Sequence, residues 1–289
     1  MMTDTLYING RFTTTGEKVI GIEDRGLQFG DGVYEAIKFL RRRLIFGADH
    51  HRRMEQGLRE IDIPSPWSQD EFDAVMSQLL QRTSFDVGFV YVQVTRGECE
   101  RVHFYPDGLQ PTVIAYSRRF QFPDAAKKAA GIRIITTEDT RWKYCDVKST
   151  NLLGNVLAKK RAQRAGAEEA LFIDRGVVTE GASSSFFAVS QERLITHPVD
   201  HGILPGTVRD RVITLALSER IRVDERPLRD DELYSLDEAF ITSTTQGVMP
   251  VCEIDDRAVG NGRRGEITQR FQRLFDELEA TEAAGGHFM

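Results

Sequence analysis

The stretch RWKYCDVKSTNLLGN, residues 141–155, holds two lysines in contrasting company. Lys143 lies between an indole and a phenol, and Lys148 between a valine and a run of small polar residues. Asp146, Ser149, Thr150 and Asn151 spell a turn ahead of an apolar, alanine-containing helix, which puts Lys148 at a strand-to-helix junction. Such junctions often display functional side chains at a sheet edge. A lysine partly withdrawn from water there offers a free amine for Schiff-base chemistry. Taken alone, Lys148 reads more readily as a solvated surface lysine, because most lysines are exposed. Lys143, between Trp142 and Tyr144, reads as a structural cation–π partner.

Outward from this junction the chain alternates strands and helices. TLYINGRF is a strand ending in an Asn-Gly turn, which favours a hairpin through positive φ angles. EDRGLQFGDGVYEAIKFL places two glycine-rich turns around Phe29 before an extended apolar segment. From His50 to Ile61 the apolar residues Met54, Leu58 and Ile61 recur at helical spacing. SQDEFDAVMSQLLQRT opens with Ser68 and Glu71 in a capping-box pattern. VGFVYVQVTRG and PTVIAYSRR are strands rich in β-branched and aromatic residues. FQFPDAAKKAAG, residues 120–131, has a proline and little pattern and is the expected linker between residues 1–119 and 132–289. The second block reads as strand, helix, three strands, helix, three strands and a terminal helix. Mixed strands and helices in two blocks indicate an α+β or α/β chain of enzyme size.

The bulk numbers remove some classes of function. With 289 residues, 40% hydrophobic and 28% charged, the make-up is that of an ordinary globular protein. The net charge of −6 argues against nucleic-acid binding, which needs a basic face. The most apolar run, VGFVYVQV at 87–94, is far too short to span a bilayer, so no membrane partner is expected. MMTDTLYINGRF has no cationic region followed by an apolar core, so no signal peptide is expected. Three cysteines, an odd number without metal-type spacing, suggest reduced thiols and a cytoplasmic setting. His197 and His201 are four apart, but Pro198 and Gly202 argue against the helix that would align them on a metal.

Four further features carry chemistry in principle. VVTEGASSSFF, 177–187, puts Glu180 and a glycine in a turn where backbone can approach a ligand closely. Glu180 there could pair with a cationic ring nitrogen or be a solvated turn residue. GILPGTVRD, 202–210, leads into a helix whose first N–H groups, those of Thr207 and Val208, form an anion site. TSTTQG, 242–247, is a second hydroxyl-rich turn after a strand. In TRGECERVHFYP, 95–106, Arg101 and His103 are two apart in a loop and can point to one site, where arginine grips a carboxylate bidentately. Each is ambiguous by itself, since helix caps and surface charges look the same.

In this order and register, these stretches resemble the class IV (fold type IV) pyridoxal-phosphate aminotransferases, most closely their D-amino acid-specific branch. The resemblance spans nearly the whole chain and rests on EDRGLQFGDGVYE, YVQVTRG with Arg101 and His103, RWKYCDVKSTNLLGNVLAK, VVTEGASSSFF, GILPG and FITSTTQGVMPV. It implies a two-domain α+β fold, pyridoxal 5'-phosphate (PLP) as cofactor, and a homodimer with the active site at the subunit interface. Lys148 matches the lysine that joins the cofactor aldehyde, and Glu180 the carboxylate that pairs with the pyridine nitrogen, which makes the ring a better electron sink. Arg53 matches the arginine on the cofactor phosphate. Thr207, Val208, Ser243 and Thr244 match the turns that supply further phosphate donors, while Ser183 and Leu204 match residues around the ring. Tyr34, Arg101 and His103 match the trap for the substrate α-carboxylate, the loop of the last two coming from the neighbouring subunit.

The implied reaction moves an amino group from a D-amino acid such as D-alanine to a 2-oxo acid, pyruvate or 2-oxoglutarate. Within the same fold the alternatives are a branched-chain L-amino acid aminotransferase, an aminodeoxychorismate lyase and an (R)-amine transaminase. Arg101 with His103 argues against all three. From another class, a non-catalytic binding protein could keep the fold. The sequence also departs from the family pattern. His51 and Arg52 occupy a usually more apolar helix turn, and Met54 stands for leucine. Ala182 and Ser185 stand where serine and asparagine are frequent. Val208 removes a threonine hydroxyl from the phosphate cup, for which Thr207 beside it is the expected compensation.

Overall fold

The computed structural model describes residues 5–14 and 19–286. Period-two alternation in the first 119 residues gives six strands: β1 (Leu6–Ile8), β2 (Arg11–Thr13), β3 (Gly32–Leu40), β4 (Arg43–Leu44), β5 (Val87–Thr95) and β6 (Thr112–Arg119). They form one sheet in the order β2-β1-β6-β5-β3-β4, and its recorded pairings are antiparallel. The β1–β2 hairpin turns at Asn9 and Gly10, whose φ angles of 43° and 90° are those an Asn-Gly turn supplies without strain. Around Phe29 the chain makes a short helix, α1 (Arg25–Phe29), rather than two glycine turns: the Asp24 side chain caps Gly26 N–H, and Gly30 closes the helix at φ 68°.

Two longer helices, α2 (Gly47–Glu60) and α3 (Gln69–Gln81), cover one face of this sheet. Ser68 and Glu71 complete the expected capping box at the start of α3. Val33, Ile37, Phe39 and Val92 from the sheet meet Met54, Leu58, Phe72 and Leu79 from the helices in a fully buried core. The stretch 120–131, read as a linker of little pattern, contains a helix, α4 (Ala125–Ala130), because Asp124 accepts from Lys127 N–H and caps an alanine-lysine run.

The second sheet contains ten strands: β7 (Ile132–Glu138), β8 (Glu169–Asp174), β9 (Val177–Gly181), β10 (Ser185–Ser190), β11 (Arg193–Thr196), β12 (Val223–Glu225), β13 (Leu228–Arg229), β14 (Glu238–Ser243), β15 (Gly247–Ile254) and β16 (Arg257–Ala258). Their order is β12-β11-β10-β14-β15-β7-β8-β9-β13, with β16 on β15. Glu180 lies in strand β9, paired through its neighbours to β8, and the turn comes after it, at residues 182–184. Small residues there mark the return to β10, not the position of the carboxylate.

Three helices complete the fold: α5 (Leu153–Arg164), α6 (Thr207–Ser218) and α7 (Glu266–Ala283). Val212 of α6 and Phe271 and Phe275 of α7 pack on Phe187 and Phe240 of the sheet, and Ile45 and Phe46, just before α2, join that cluster. A buried ion pair between Lys38 of β3 and Glu279 of α7, 2.6 Å long, joins the two sheets' neighbourhoods a second time. Among the described residues no helix is long and apolar enough to cross a membrane.

Candidate active site

Lys148 sits in the segment between β7 and α5, and that segment is laid along the start of β3. Tyr34 N–H donates to the Lys148 carbonyl at 2.9 Å, and Thr150 N–H to the Gly32 carbonyl at 2.9 Å. These bonds turn the lysine side chain over the neighbouring phenol: Nζ is 3.3 Å from Tyr34 Oη and 4.4 Å from the ring centroid. Lys143 faces outward instead. Its Nζ pairs with Asp174 at 2.7 Å, while Trp142 and Tyr144 pack on each other at 5.5 Å. The expected cation–π role of Lys143 is therefore replaced by a surface ion pair, and Lys148 is the lysine turned inward.

One cavity takes in Lys148 together with Tyr34, Arg53, Glu180, Ser183, Leu204, Thr207, Val208, Ser243 and Thr244. Residues spread over more than 200 positions of sequence thus line one space.

At one end of the cavity Arg53 reaches from α2. Its Nε and Nη2 donate to the two carboxylate oxygens of Glu35, both at 2.8 Å, and Nη1 donates to the Pro205 carbonyl at 3.0 Å. Glu35 is 1% exposed and also contacts His50 Nδ1 at 2.7 Å. Burial pushes the Glu35 carboxyl up, but Arg53 and His50 outweigh it and hold the group well below the usual carboxylate range. The same end holds the N-terminus of α6, capped by Gly206 with no side-chain bond to the first-turn N–H groups. Those orphan donors and the helix dipole make an anion site. A Cβ on Gly206 would come within 2.7 Å of Ser185 Oγ and 3.2 Å of Arg209 Cβ, so glycine lets this turn approach β10 without displacing those side chains. Ser243, the last residue of β14, and Thr244, in the turn after it, also line the cavity.

At the other end stands Glu180, buried in β9. One of its oxygens accepts from Arg141 Nη1 at 2.5 Å and the other from Leu204 N–H at 3.0 Å. Arg141 is held in turn by Asp139, through Nε at 3.0 Å and Nη2 at 2.7 Å, and its Nη2 also meets the Gly202 carbonyl at 3.1 Å. Burial raises the proton affinity of Glu180, and Arg141 only partly offsets this. Leu204 thus serves this end through its backbone as well as its side chain. Ser183 N–H and Oγ donate to Glu169, at 3.3 and 2.9 Å, so its hydroxyl is engaged behind the cavity wall. Cys145 also lines the cavity; burial pushes its thiol up to about 12, and its Sγ lies 3.1 Å from the Trp142 carbonyl.

Arg101 and His103 are not brought to Lys148 within one chain. They lie exposed on the loop between β5 and β6, with the Arg101 guanidinium 5.0 Å over the Phe29 ring and the His103 imidazole 5.8 Å from it. Arg25 fixes that loop by donating to the Val102 carbonyl at 2.8 Å and the His103 carbonyl at 3.4 Å.

Sequence reasoning missed Glu35, His50, Asp139 and Arg141. For Glu35 a signal was available. Val33, Glu35, Ile37 and Phe39 form the core-facing row of β3, and a carboxylate in such a row needs a buried partner. For Arg141 and Asp139 no periodic signal exists, because both lie in irregular chain after β7.

The donor set fits an elongated group with a phosphate at the Arg53 end, a ring nitrogen at the Glu180 end and an aldehyde facing Lys148. Residues 32–254 match the family described as amino-transferase class IV. The D-alanine aminotransferase of Bacillus licheniformis is 40% identical over 96% of this chain and 98% of its own length. That of Staphylococcus epidermidis strain RP62A is 36% identical over 94% of this chain and 96% of its own. Among solved structures, the branched-chain amino acid aminotransferase of Escherichia coli superposes with a TM-score of 0.89 at 25% identity, covering 96% of this chain and 94% of that one.

Proposed function

The chain belongs to the class IV aminotransferases, which use PLP, and from that premise we propose that it transaminates D-amino acids such as D-alanine with pyruvate or 2-oxoglutarate as acceptor. The observation that carries the reading is one cavity lined by Lys148, by Arg53 with the N-terminus of α6, and by the buried carboxylate Glu180. Identity of 34–40% to several D-alanine aminotransferases over nearly the full length favours D- over L-substrates.

When bound, the cofactor supplies the electron sink that lets the substrate Cα–H ionise. The protein's part is to hold, orient and move protons. Arg53, the N–H groups at Thr207 and Val208, and the Ser243–Thr244 turn anchor the phosphate. Glu180, held by Arg141 and the Leu204 N–H, would accept a hydrogen bond from a protonated ring nitrogen and favour its cationic form. Leu204 bounds the ring, and Ser183 stiffens the turn beside it through Glu169. Lys148 Nζ would serve as the group that takes the proton from the substrate Cα, the amine acting as general base and, once protonated, as general acid. Tyr34 Oη, 3.3 Å from Nζ, orients the amine.

The substrate α-carboxylate needs a cation. Among the described cavity residues, Arg53 is paired with Glu35, Arg141 with Asp139 and Glu180, and Arg209 with Glu225. Arg101 and His103, exposed on a loop fixed by Arg25, are free to meet that carboxylate across a homodimer interface, with Tyr34 completing the trap. The partner's loop then sets which face of the substrate turns its hydrogen to Lys148. Residues 1–119 act as a small domain and 132–289 as the large one, joined through 120–131, in a cytoplasmic enzyme.

The test is spectroscopic and chiral. Purified protein reconstituted with PLP should show a visible absorbance band that Lys148→Ala lacks, with turnover falling by roughly 10³-fold or more in the variant. Consumption of L-alanine and not D-alanine would sink the D-specific reading, and a colourless protein that does not take up PLP would sink the enzyme reading.

A further inference from the structure

Behind the groups that face the cavity lies a second layer that none of the functional readings above uses. Glu35, His50 and Thr207 join β3, α2 and the first residue of α6 in a buried chain: Glu35 to His50 Nδ1 at 2.7 Å, then His50 Nε2 to Thr207 Oγ1 at 3.4 Å. Glu35 and His50 are each 1% exposed and Thr207 is 7% exposed.

The donor inventory of this chain is restrictive. Arginine carries five N–H groups. Three of those on Arg53 are engaged, two by Glu35 and one by the Pro205 carbonyl, which leaves one on Nη1 and one on Nη2. A two-point grip on one carboxylate fixes the plane of the guanidinium, so these remaining donors have a set direction before any ligand arrives. For His50, an ionised carboxylate can only accept, so the proton is on Nδ1. Burial and the nearby Arg53 and Lys148 charges oppose a second proton on the ring, whereas Glu35 favours it; Glu35 is already answered by Arg53. The neutral ring leaves Nε2 as an acceptor, and the Thr207 hydroxyl is its donor.

We propose that Glu35 and His50 are positioning residues of the phosphate site: Glu35 aims the two remaining Arg53 donors at the phosphate, and His50 holds the Thr207 hydroxyl proton away from it, so that Thr207 serves the phosphate through its backbone N–H alone. This rests on the PLP reading above. It revises the expected compensation for Val208, because the Thr207 proton is committed behind the cup. The hydroxyl donors on the phosphate are then those of the Ser243–Thr244 turn.

The experiment compares PLP with pyridoxal, which lacks only the phosphate, by titrating the apoprotein and following fluorescence quenching. In wild type PLP should bind far more tightly than pyridoxal; equal binding would overturn the phosphate assignment itself and leave this proposal without a ligand. Given that preference, Glu35→Gln should reduce the PLP-to-pyridoxal affinity ratio by roughly tenfold to a hundredfold, the range seen when an outer partner of a binding residue is lost. Equal weakening of both ligands would show a merely structural role and overturn the proposal, as would an unchanged ratio. Thr207→Val, which keeps shape and backbone, should change the ratio by less than about threefold, below the loss expected of a direct hydrogen bond to a charged group; a tenfold loss would place the hydroxyl on the phosphate. Should Glu35→Gln fail to fold, ¹⁵N NMR of the His50 imidazole in wild-type holoenzyme decides. A neutral ring protonated on Nδ1 supports the proposal, and a cationic ring or one protonated on Nε2 overturns it.

Discussion

The two ends of the cavity are built from the same pair of residue types in opposite order. At the phosphate end an arginine, Arg53, faces the cavity and a carboxylate, Glu35, stands behind it at 2.8 Å. At the ring end a carboxylate, Glu180, faces the cavity and an arginine, Arg141, stands behind it at 2.5 Å. Each front group is buried, and burial tolerates a charge only when that charge is answered and its hydrogen bonds are filled. The back group supplies both. The order of the pair sets the sign each end presents, positive for a phosphate and negative for a ring cation. The ends also differ in depth of support: Arg141 leans on a further carboxylate, Asp139, whereas Glu35 leans on a neutral imidazole.

The comparison can be broken most severely at the ring end. Arg141→Met strands two buried carboxylates, Glu180 and Asp139, without their counter-charge. Removal of one partner of a buried pair costs roughly 3–5 kcal/mol, which for a chain of this size is a fall in Tm on the order of 10 °C. A calorimetric scan showing an unchanged Tm would mean that the arginine compensates nothing. Next in size, Glu180→Gln keeps the shape but drops the front charge. We expect kcat with D-alanine to fall by roughly 10²-fold, and full activity would remove the ring-nitrogen role.

The neutral imidazole at the phosphate end gives a pH signature. His50 has a folded-state pKa below its ordinary 6.5, chiefly through burial, with Arg53 and Lys148 acting in the same direction and Glu35 against. Its depressed pKa means that the unfolded chain takes up a proton first, so the stability this group contributes is present above pH 6.5 and is lost as the pH falls through the folded-state value. The loss approaches about 1.4 kcal/mol per pH unit for one proton. Denaturant titrations from pH 7 to 5 should show this slope in wild type, and a shallower one in His50→Gln. Parallel curves would assign the pH dependence to other groups. The smallest expected effect is a gain: Val208→Thr should tighten PLP binding by about threefold to tenfold, one added hydroxyl donor at the phosphate end. A loss instead would show that the apolar packing of Val208 with Val212 and Phe240 matters more.

How far the site could be read without coordinates follows from where its information lies. Lys148, Glu180 and Arg53 were singled out through motifs kept in register, not through local chemistry, which by itself favoured a surface lysine at 148 and left Glu180 in a turn. The helix N-terminus at Thr207 was legible locally because GILPG cannot continue a strand and α6 begins where the glycine ends. Arg141 was not legible: an arginine in irregular chain between Thr140 and Trp142 looks the same whether it faces solvent or a carboxylate. Neither was the α4 helix inside the expected linker, where a proline and a short alanine-lysine run hid an Asp124 cap.

By itself, the sequence determined what depends on neighbours in the chain: the Asn9–Gly10 turn, the Ser68 capping box, the alternating rows of β3 and β5, and the amphipathic faces of α2 and α3. The tertiary structure alone decided which charges answer one another. Glu35 finds Arg53 18 positions away, Arg141 finds Glu180 39 away and His50 reaches Thr207 157 away. No local preference encodes such pairs, because a buried charge is tolerated only where folding has already brought its opposite within hydrogen-bond reach.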